Sequence, residues 1–231
     1  MAGRTLAGRR IIVLGARGGL GRSVVERLRT DGASVMAADS RPPADADAER
    51  HEGVDHVTVD ALDEVSVAVA LAVPPPAAAV VNLIGGYTPP QSISRLDIAT
   101  LRQQIELNLV TAAIVTKHAM PLLAAQGGGA IVHVSSRVAV QTGENSFAYS
   151  VSKLGVVRLG EAAAAEGRDH GVRVNCIMPS IIDTPANRTA MPRANHDRWP
   201  KPPELAAVLA FLVSDNAVLI SGAAIPVYGR G

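Results

Sequence analysis

Short uninterrupted apolar runs alternate along this chain with longer stretches of helical periodicity. That alternation predicts strands buried on both faces, separated by helices. Arg10 to Leu14 reads as the first strand, Gly32 to Asp39 as the second and His56 to Asp60 as the third. Ala78 to Ile84 is a fourth that opens into Gly85-Gly86; Gly128 to Ser136, Val172 to Pro179 and Ala223 to Tyr228 complete the set. Helical spacing runs from Gly21 through Leu28, Leu62 to Val73, Leu101 to Leu123, Tyr149 to His170 and Pro203 to Leu212. Ser40 to Asp55 is polar and contains proline, which predicts a loop. Residues 1–231 show no boundary or repeat, so one domain is expected.

Composition narrows this to an aliphatic core. The chain is 48% hydrophobic but only 3% aromatic, so Val, Ile, Leu and Ala must fill a parallel sheet packed under helices. A net charge of +1 gives no field for nucleic acid or a membrane surface, and neither is expected as a partner. No apolar run reaches spanning length and no signal-like segment opens the chain, so a cytoplasmic protein is expected. Cys176 is the single cysteine and reads as a buried strand thiol; the six histidines fall at no ligand spacing, so no metal is assigned.

The first strand runs directly into Gly15-Ala16-Arg17-Gly18-Gly19-Leu20-Gly21 and then a helix. Strand, glycine turn and helix in that order make an anion site, because the backbone can approach a pyrophosphate and the helix N-terminus presents free N–H groups. Eighteen positions past Gly21, Asp39 ends the second strand, where a carboxylate accepts from an adenosine ribose and repels a 2′-phosphate. NADH is therefore expected over NADPH, although Arg17 and Arg41 leave NADP(H) open. Asp60, at the end of the third strand, either meets adenine or caps the next helix. Gly85 and Gly86 suit close backbone passage past a ligand.

Tyr149 and Lys153 fall one turn apart on one helix face. A phenol carries protons poorly at neutral pH unless its charged form is favoured. Lowering it by about three units takes about 4 kcal/mol, which a close cation helped by a cofactor's positive ring would supply. Asn108 stands mid-helix against its propensity, either facing solvent or distorting the helix to offer a carbonyl to water. Ser136 ends the fifth strand on the edge where open parallel sheets bind ligands. From Ala186 to Pro202 the chain is polar with a lone Trp199, the expected place of a substrate lid, about 184–203.

In this order and spacing, including thirteen positions from Ser136 to Tyr149, these elements resemble the short-chain dehydrogenase/reductase family over nearly the whole chain. The resemblance implies a Rossmann-type, doubly wound seven-stranded parallel sheet with helices on both faces, and a homodimer or homotetramer built on the helices around Asn108 and Tyr149. It implies that Tyr149 is the general acid/base, that Lys153 lowers its pKa and binds the nicotinamide ribose, that Ser136 binds the reacting oxygen, and that Asn108 holds a water. Gly15, Gly19 and Gly21 would hold the cofactor's pyrophosphate, with Arg17 and Leu20 among its binding residues, Asp39 its ribose and Asp60 its adenine. Ile182 and Thr184 would hold its nicotinamide end, and Asn82, at the first position of the family's N-N-A-G turn, and Gly85 would be further cofactor-binding residues. Leu14, Leu83-Ile84 and Ser180 depart from the family's usual Thr, Asn-Ala and Gly.

The implied activity is NAD(P)(H)-dependent hydride transfer between nicotinamide and a small carbonyl or alcohol. A narrower likeness, in the glycine turn and in Asp183 to Arg188, Met191-Pro192 and Trp199, is to dihydropteridine reductases. The rival readings are an NAD(H) sensor without turnover and an isomerase or dehydratase with no net change in NADH.

Overall fold

The computed structural model describes residues 5–41 and 54–230. Most of the loop expected from Ser40 to Asp55 lies outside the described residues. Seven parallel strands form one sheet in the order β3-β2-β1-β4-β5-β6-β7. They are β1 (Arg10–Leu14), β2 (Ser34–Asp39), β3 (Asp55–Thr58), β4 (Ala79–Asn82), β5 (Gly129–Val134), β6 (Val172–Pro179) and β7 (Ala224–Val227). The seven-stranded expectation holds, with ends moved by a few residues: β4 stops at Asn82 and β5 at Val134, so Gly85, Ser135 and Ser136 stand beyond the carboxyl edge.

The helices are α1 (Gly21–Thr30), α2 (Glu64–Leu71), α3 (Ile98–Ile105), α4 (Thr111–Ala125), α5 (Phe147–Gly167), α6 (Pro185–Ala190) and α7 (Pro202–Val213). They cover both faces. On one, Val24, Val25 and Leu28 of α1 and Leu205, Leu209 and Leu212 of α7 pack under Ile11, Val13 and Val35. On the other, α2, α4 and α5 contribute Val67, Val115, Leu123 and Ala163 against Ile12, Met36 and Ile131. Each such side chain contributes about 1.5–3 kcal/mol by leaving water, which is why both faces of β1 read as apolar.

Three local features differ from the sequence reading. The helix expected from Leu101 starts at Ile98, because Asp97 caps it by accepting from the Ala99 N–H at 2.9 Å. It then widens into a π turn over Glu106–Val110 before continuing as α4. By length and composition Ile98–Ala125 would cross a membrane, but Ala112, Val115, Ala119 and Leu123 are buried in the protein. The segment after β6 is not plain loop. Thr184 accepts from the Asn187 N–H and Pro185 takes the first turn, so α6 forms there. Asp63, not Asp60, caps α2, its Oδ1 accepting from Val65 and Ser66 at 2.9 and 3.3 Å.

Candidate active site

The sheet reverses direction of winding between β1 and β4, and their carboxyl ends lie side by side, Leu14 opposite Asn82. Ligands of open α/β sheets bind at such a switch point. Gly15 turns the chain out of β1 with a φ of +77°. Its N–H and that of Ala16 donate to the Ala38 carbonyl, which ties the turn to β2. Gly21 permits α1 to start there: a Cβ on it would stand 2.3 Å from the Gly15 oxygen. Among the described residues the N–H groups of Gly19 and Leu20 meet no acceptor, and α1 has no side-chain cap. These open donors at a helix N-terminus fit the pyrophosphate of a dinucleotide.

Asp39 accepts from the Arg17 N–H through Oδ2 at 3.0 Å, which fixes the carboxylate beside the glycine turn. Asp60 lies exposed beyond β3, with Oδ1 accepting from Leu62. Asn82 is buried. Its Oδ1 accepts from Ile84 at 3.1 Å and its amide meets His133 Nδ1 at 3.3 Å, so it shapes the turn ahead of Gly85. Thr184, capping α6, puts its methyl 2.7 Å from where a Cβ on Gly19 would be. The segment after β6 therefore closes against the glycine turn. Ile182 packs at the margin of the core and gives its carbonyl to Thr184 and Asn187.

Four candidate side chains converge one strand further on. The Ser136 hydroxyl lies beside that of Tyr149, near enough to favour the ionised phenol. Lys153, buried on α5, donates from Nζ to the Val134 carbonyl at 2.9 Å. A Cβ on Gly85 would stand 2.6 Å from Asn108 Oδ1 and 2.8 Å from Lys153 Nζ, so only glycine lets these three meet. Asn108 is buried within the π turn, so of the two readings of its mid-helix position the distortion holds. Its Oδ1 accepts from the Gly86 N–H and its Nδ2 donates to the Gly86 carbonyl, both at 3.0 Å, and to Ser152 Oγ at 3.2 Å.

The expected depression of the Tyr149 phenol by Lys153 is not found. Burial raises that phenol above its ordinary value, opposed by the neighbouring Ser136 hydroxyl, and Lys153 Nζ points to Val134, 5.9 Å from the ring centroid. Burial also brings Lys153 down to about 8. The same burial pushes the Cys176 thiol up to about 12, which leaves it inert.

Two parts of this centre were not singled out from sequence. Tyr87 sets its ring across that of Tyr149, centroids 5.1 Å apart at 83°; its signal was an aromatic residue right after Gly85-Gly86 in an aromatic-poor chain. His133 links Asn82 to Thr116, whose Oγ1 lies 2.9 Å from Nε2, and only the sheet register reveals it. Trp199 is buried against His196 in the segment after β6, centroids 4.5 Å apart. A cavity of about 620 Å³ lies at the opposite edge of the sheet, lined by Arg9, Gly129, Arg168 and Arg173, and takes no part in this centre.

Residues 9–195 match the family model described as short chain dehydrogenase. A cis-4-hydroxycyclohexanecarboxylate dehydrogenase of Sinomonas cyclohexanicum is 35% identical, covering 98% of this chain and 98% of that protein. A 7alpha-hydroxysteroid dehydrogenase of Bacteroides fragilis is 29% identical over 95% of this chain and 92% of its own. Among solved structures, one from Beutenbergia cavernae, described as an NAD(P) dependent gluconate 5-dehydrogenase with bound NADP at low occupancy, superposes with a TM-score of 0.88. It is 27% identical, covering 98% of this chain and 97% of that one. The chain belongs to the short-chain dehydrogenase/reductase family, and it is an NAD(P)-dependent oxidoreductase acting on a small molecule.

Proposed function

We propose that this enzyme interconverts a cyclic secondary alcohol and its ketone, of the kind named for the Sinomonas relative. The observation that carries the reading is the Ser136–Tyr149 hydroxyl pair with Lys153 and Asn108 meeting at Gly85. Tyr149 passes a proton to or from the substrate oxygen while Ser136 donates a hydrogen bond to it. A phenol held protonated by burial is the form that donates to a ketone oxygen. Lys153, with a pKa of about 8 and so largely charged at neutral pH, binds the nicotinamide ribose. Asn108 holds the loop carrying Gly85 and Gly86 and orders the water beside Lys153. The bound nicotinamide supplies or takes the hydride.

The cofactor is NAD(H) in this reading, supported by the Asp39 carboxylate beside the glycine turn. Gly15, Gly19, Leu20 and Gly21 hold its pyrophosphate, Asp60 its adenine, and Ile182 and Thr184 its nicotinamide end, with residues 184–203 as the lid. Exposed Ile98, Leu122, Phe147 and Val151 on the long helices support a homodimer or homotetramer through them. The lone buried thiol of Cys176 suits the reducing cytoplasm.

The test is turnover of cis-4-hydroxycyclohexanecarboxylate, simple ketones and quinonoid dihydropterin with NAD(H) and NADP(H). Tyr149→Phe should lose at least about a hundredfold in kcat while still binding NADH, read by its fluorescence. Full turnover by that variant would sink the assignment. Faster turnover of the pterin would make the narrower likeness functional; NADH binding with no turnover of any substrate would favour a sensor.

A further inference from the structure

Tyr87 is a large aromatic side chain left 58% exposed, directly over the candidate acid/base. A solvent-facing phenol ring at such a place requires a reason. The chain has six Phe, Trp and Tyr residues, and all but Phe211 lie beyond the carboxyl ends of the strands: Tyr87, Phe147, Tyr149, Trp199 and Tyr228. Of these five, Tyr87 is the most exposed and is the one whose ring lies against that of Tyr149.

The ring is also held. Gly86, its neighbour, has both its N–H and its carbonyl bound by the Asn108 side chain, and a Cβ there would stand 2.7 Å from Leu107 Cδ2. Downstream, the Gln91 N–H donates to the Asn145 carbonyl at 2.9 Å, fastening the loop to the segment that begins α5. Tyr87 and Tyr149 then face each other in a narrow seam with Thr88, Pro89, Leu96 and Asn145. An edge-to-face contact engages one side of Tyr87 and leaves the rest open to a further apolar ring.

We propose that Tyr87 is a specificity-determining residue, the wall on which a ring-shaped substrate packs while its carbinol or carbonyl reaches Ser136 and Tyr149. The proposal rests on the secondary-alcohol reading above and adds what selects the substrate. The substrate class is a six-membered alicyclic or aromatic ring bearing the reacting oxygen. The contact comes from the ring face of Tyr87, so the phenol hydroxyl is dispensable.

The test compares the wild-type holoenzyme with Tyr87→Ala and Tyr87→Phe. Oxidation of cyclohexanol is set against oxidation of sec-butanol, and binding of cyclohexanecarboxamide against isobutyramide is measured by calorimetry on the NADH-loaded enzyme. Tyr87→Ala should lose about tenfold in kcat/KM for cyclohexanol, mainly through KM, and about tenfold in affinity for the ring amide. The ratio of kcat/KM for cyclohexanol over sec-butanol should fall about tenfold in Tyr87→Ala, and Tyr87→Phe should keep the wild-type ratio and the wild-type affinity for the ring amide. Equal losses on both alcohols, ring-amide binding unchanged in Tyr87→Ala, or a Tyr87→Phe variant as poor as Tyr87→Ala would each overturn the proposal. Absence of turnover on both alcohols, with ring-amide affinity still lost in Tyr87→Ala alone, would remove the secondary-alcohol reading and leave the wall standing.

Discussion

Asn108 grips Gly86 at both ends of that one residue, its Oδ1 taking the N–H and its Nδ2 giving to the carbonyl, each at 3.0 Å. A side chain on the π turn thus replaces the pairing that a loop beyond β4 cannot obtain from the sheet. Asn108→Leu leaves the part-buried N–H and carbonyl of Gly86 without this partner, at about 1–3 kcal/mol each. We expect a loss of about 2–5 kcal/mol in urea unfolding. Turnover should also fall, because Tyr87 and Gly85 lose their fixed position. Wild-type stability in Asn108→Leu would show that the grip is incidental.

Gly19 and Thr184 meet across the cleft, and the methyl of Thr184 occupies the space a Cβ on Gly19 would need, 2.7 Å away. Gly19→Ala should weaken NADH binding at least about tenfold by prising the segment after β6 from the glycine turn. Thr184→Ser removes that methyl but keeps the hydroxyl that caps α6. Combined with Gly19→Ala it should restore most of the affinity. A double variant no better than Gly19→Ala alone, in fluorescence titration, would refute the coupling.

Asp39 bears on cofactor choice. Asp39→Asn keeps an oxygen for the Arg17 N–H but removes the charge that opposes a 2′-phosphate. The ratio of kcat/KM for NADP⁺ over NAD⁺ should rise at least about tenfold. A ratio unchanged from wild type would show that the Asp39 charge does not set the cofactor choice.

His133 predicts acid lability. Burial, with the nearby Lys153 charge, brings its pKa down from 6.5 to about 4. Between those values the unfolded chain binds more protons than the folded one. The stability is therefore complete above pH 6.5 and lost as pH falls toward 4. The change amounts to about 3 kcal/mol. Replacing His133 by Gln should flatten that part of the pH profile in thermal melts, and an unaltered slope would show that other groups carry it.

The candidate chemistry was legible because it is written in short-range spacing. Tyr149 and Lys153 share a helix face by their separation alone, and the strand, glycine turn and helix from Arg10 to Leu28 form one local unit. Asp39 and Ser136 stood out because strand ends are marked by the change from apolar to polar residues, whereas Asn82 stood out only through the family resemblance. Helix starts at Ile98 and Pro185 were written in their caps, Asp97 and Thr184, which periodicity does not register.

The sequence by itself determined an α/β chain with an aliphatic parallel sheet and a strand, glycine turn and helix unit, and it set Tyr149 and Lys153 on one helix face, since all of these follow from patterns within a few residues. Tertiary structure alone decided how distant segments meet. It placed Asn108 on Gly86, twenty-two positions away, and Thr184 on Gly19. It set Tyr87 across Tyr149, and turned Lys153 toward Val134 so that burial, not the ammonium, governs the phenol. These outcomes depend on packing and desolvation, which arise only when the sheet order brings the ends of β4, β5 and α5 to one edge.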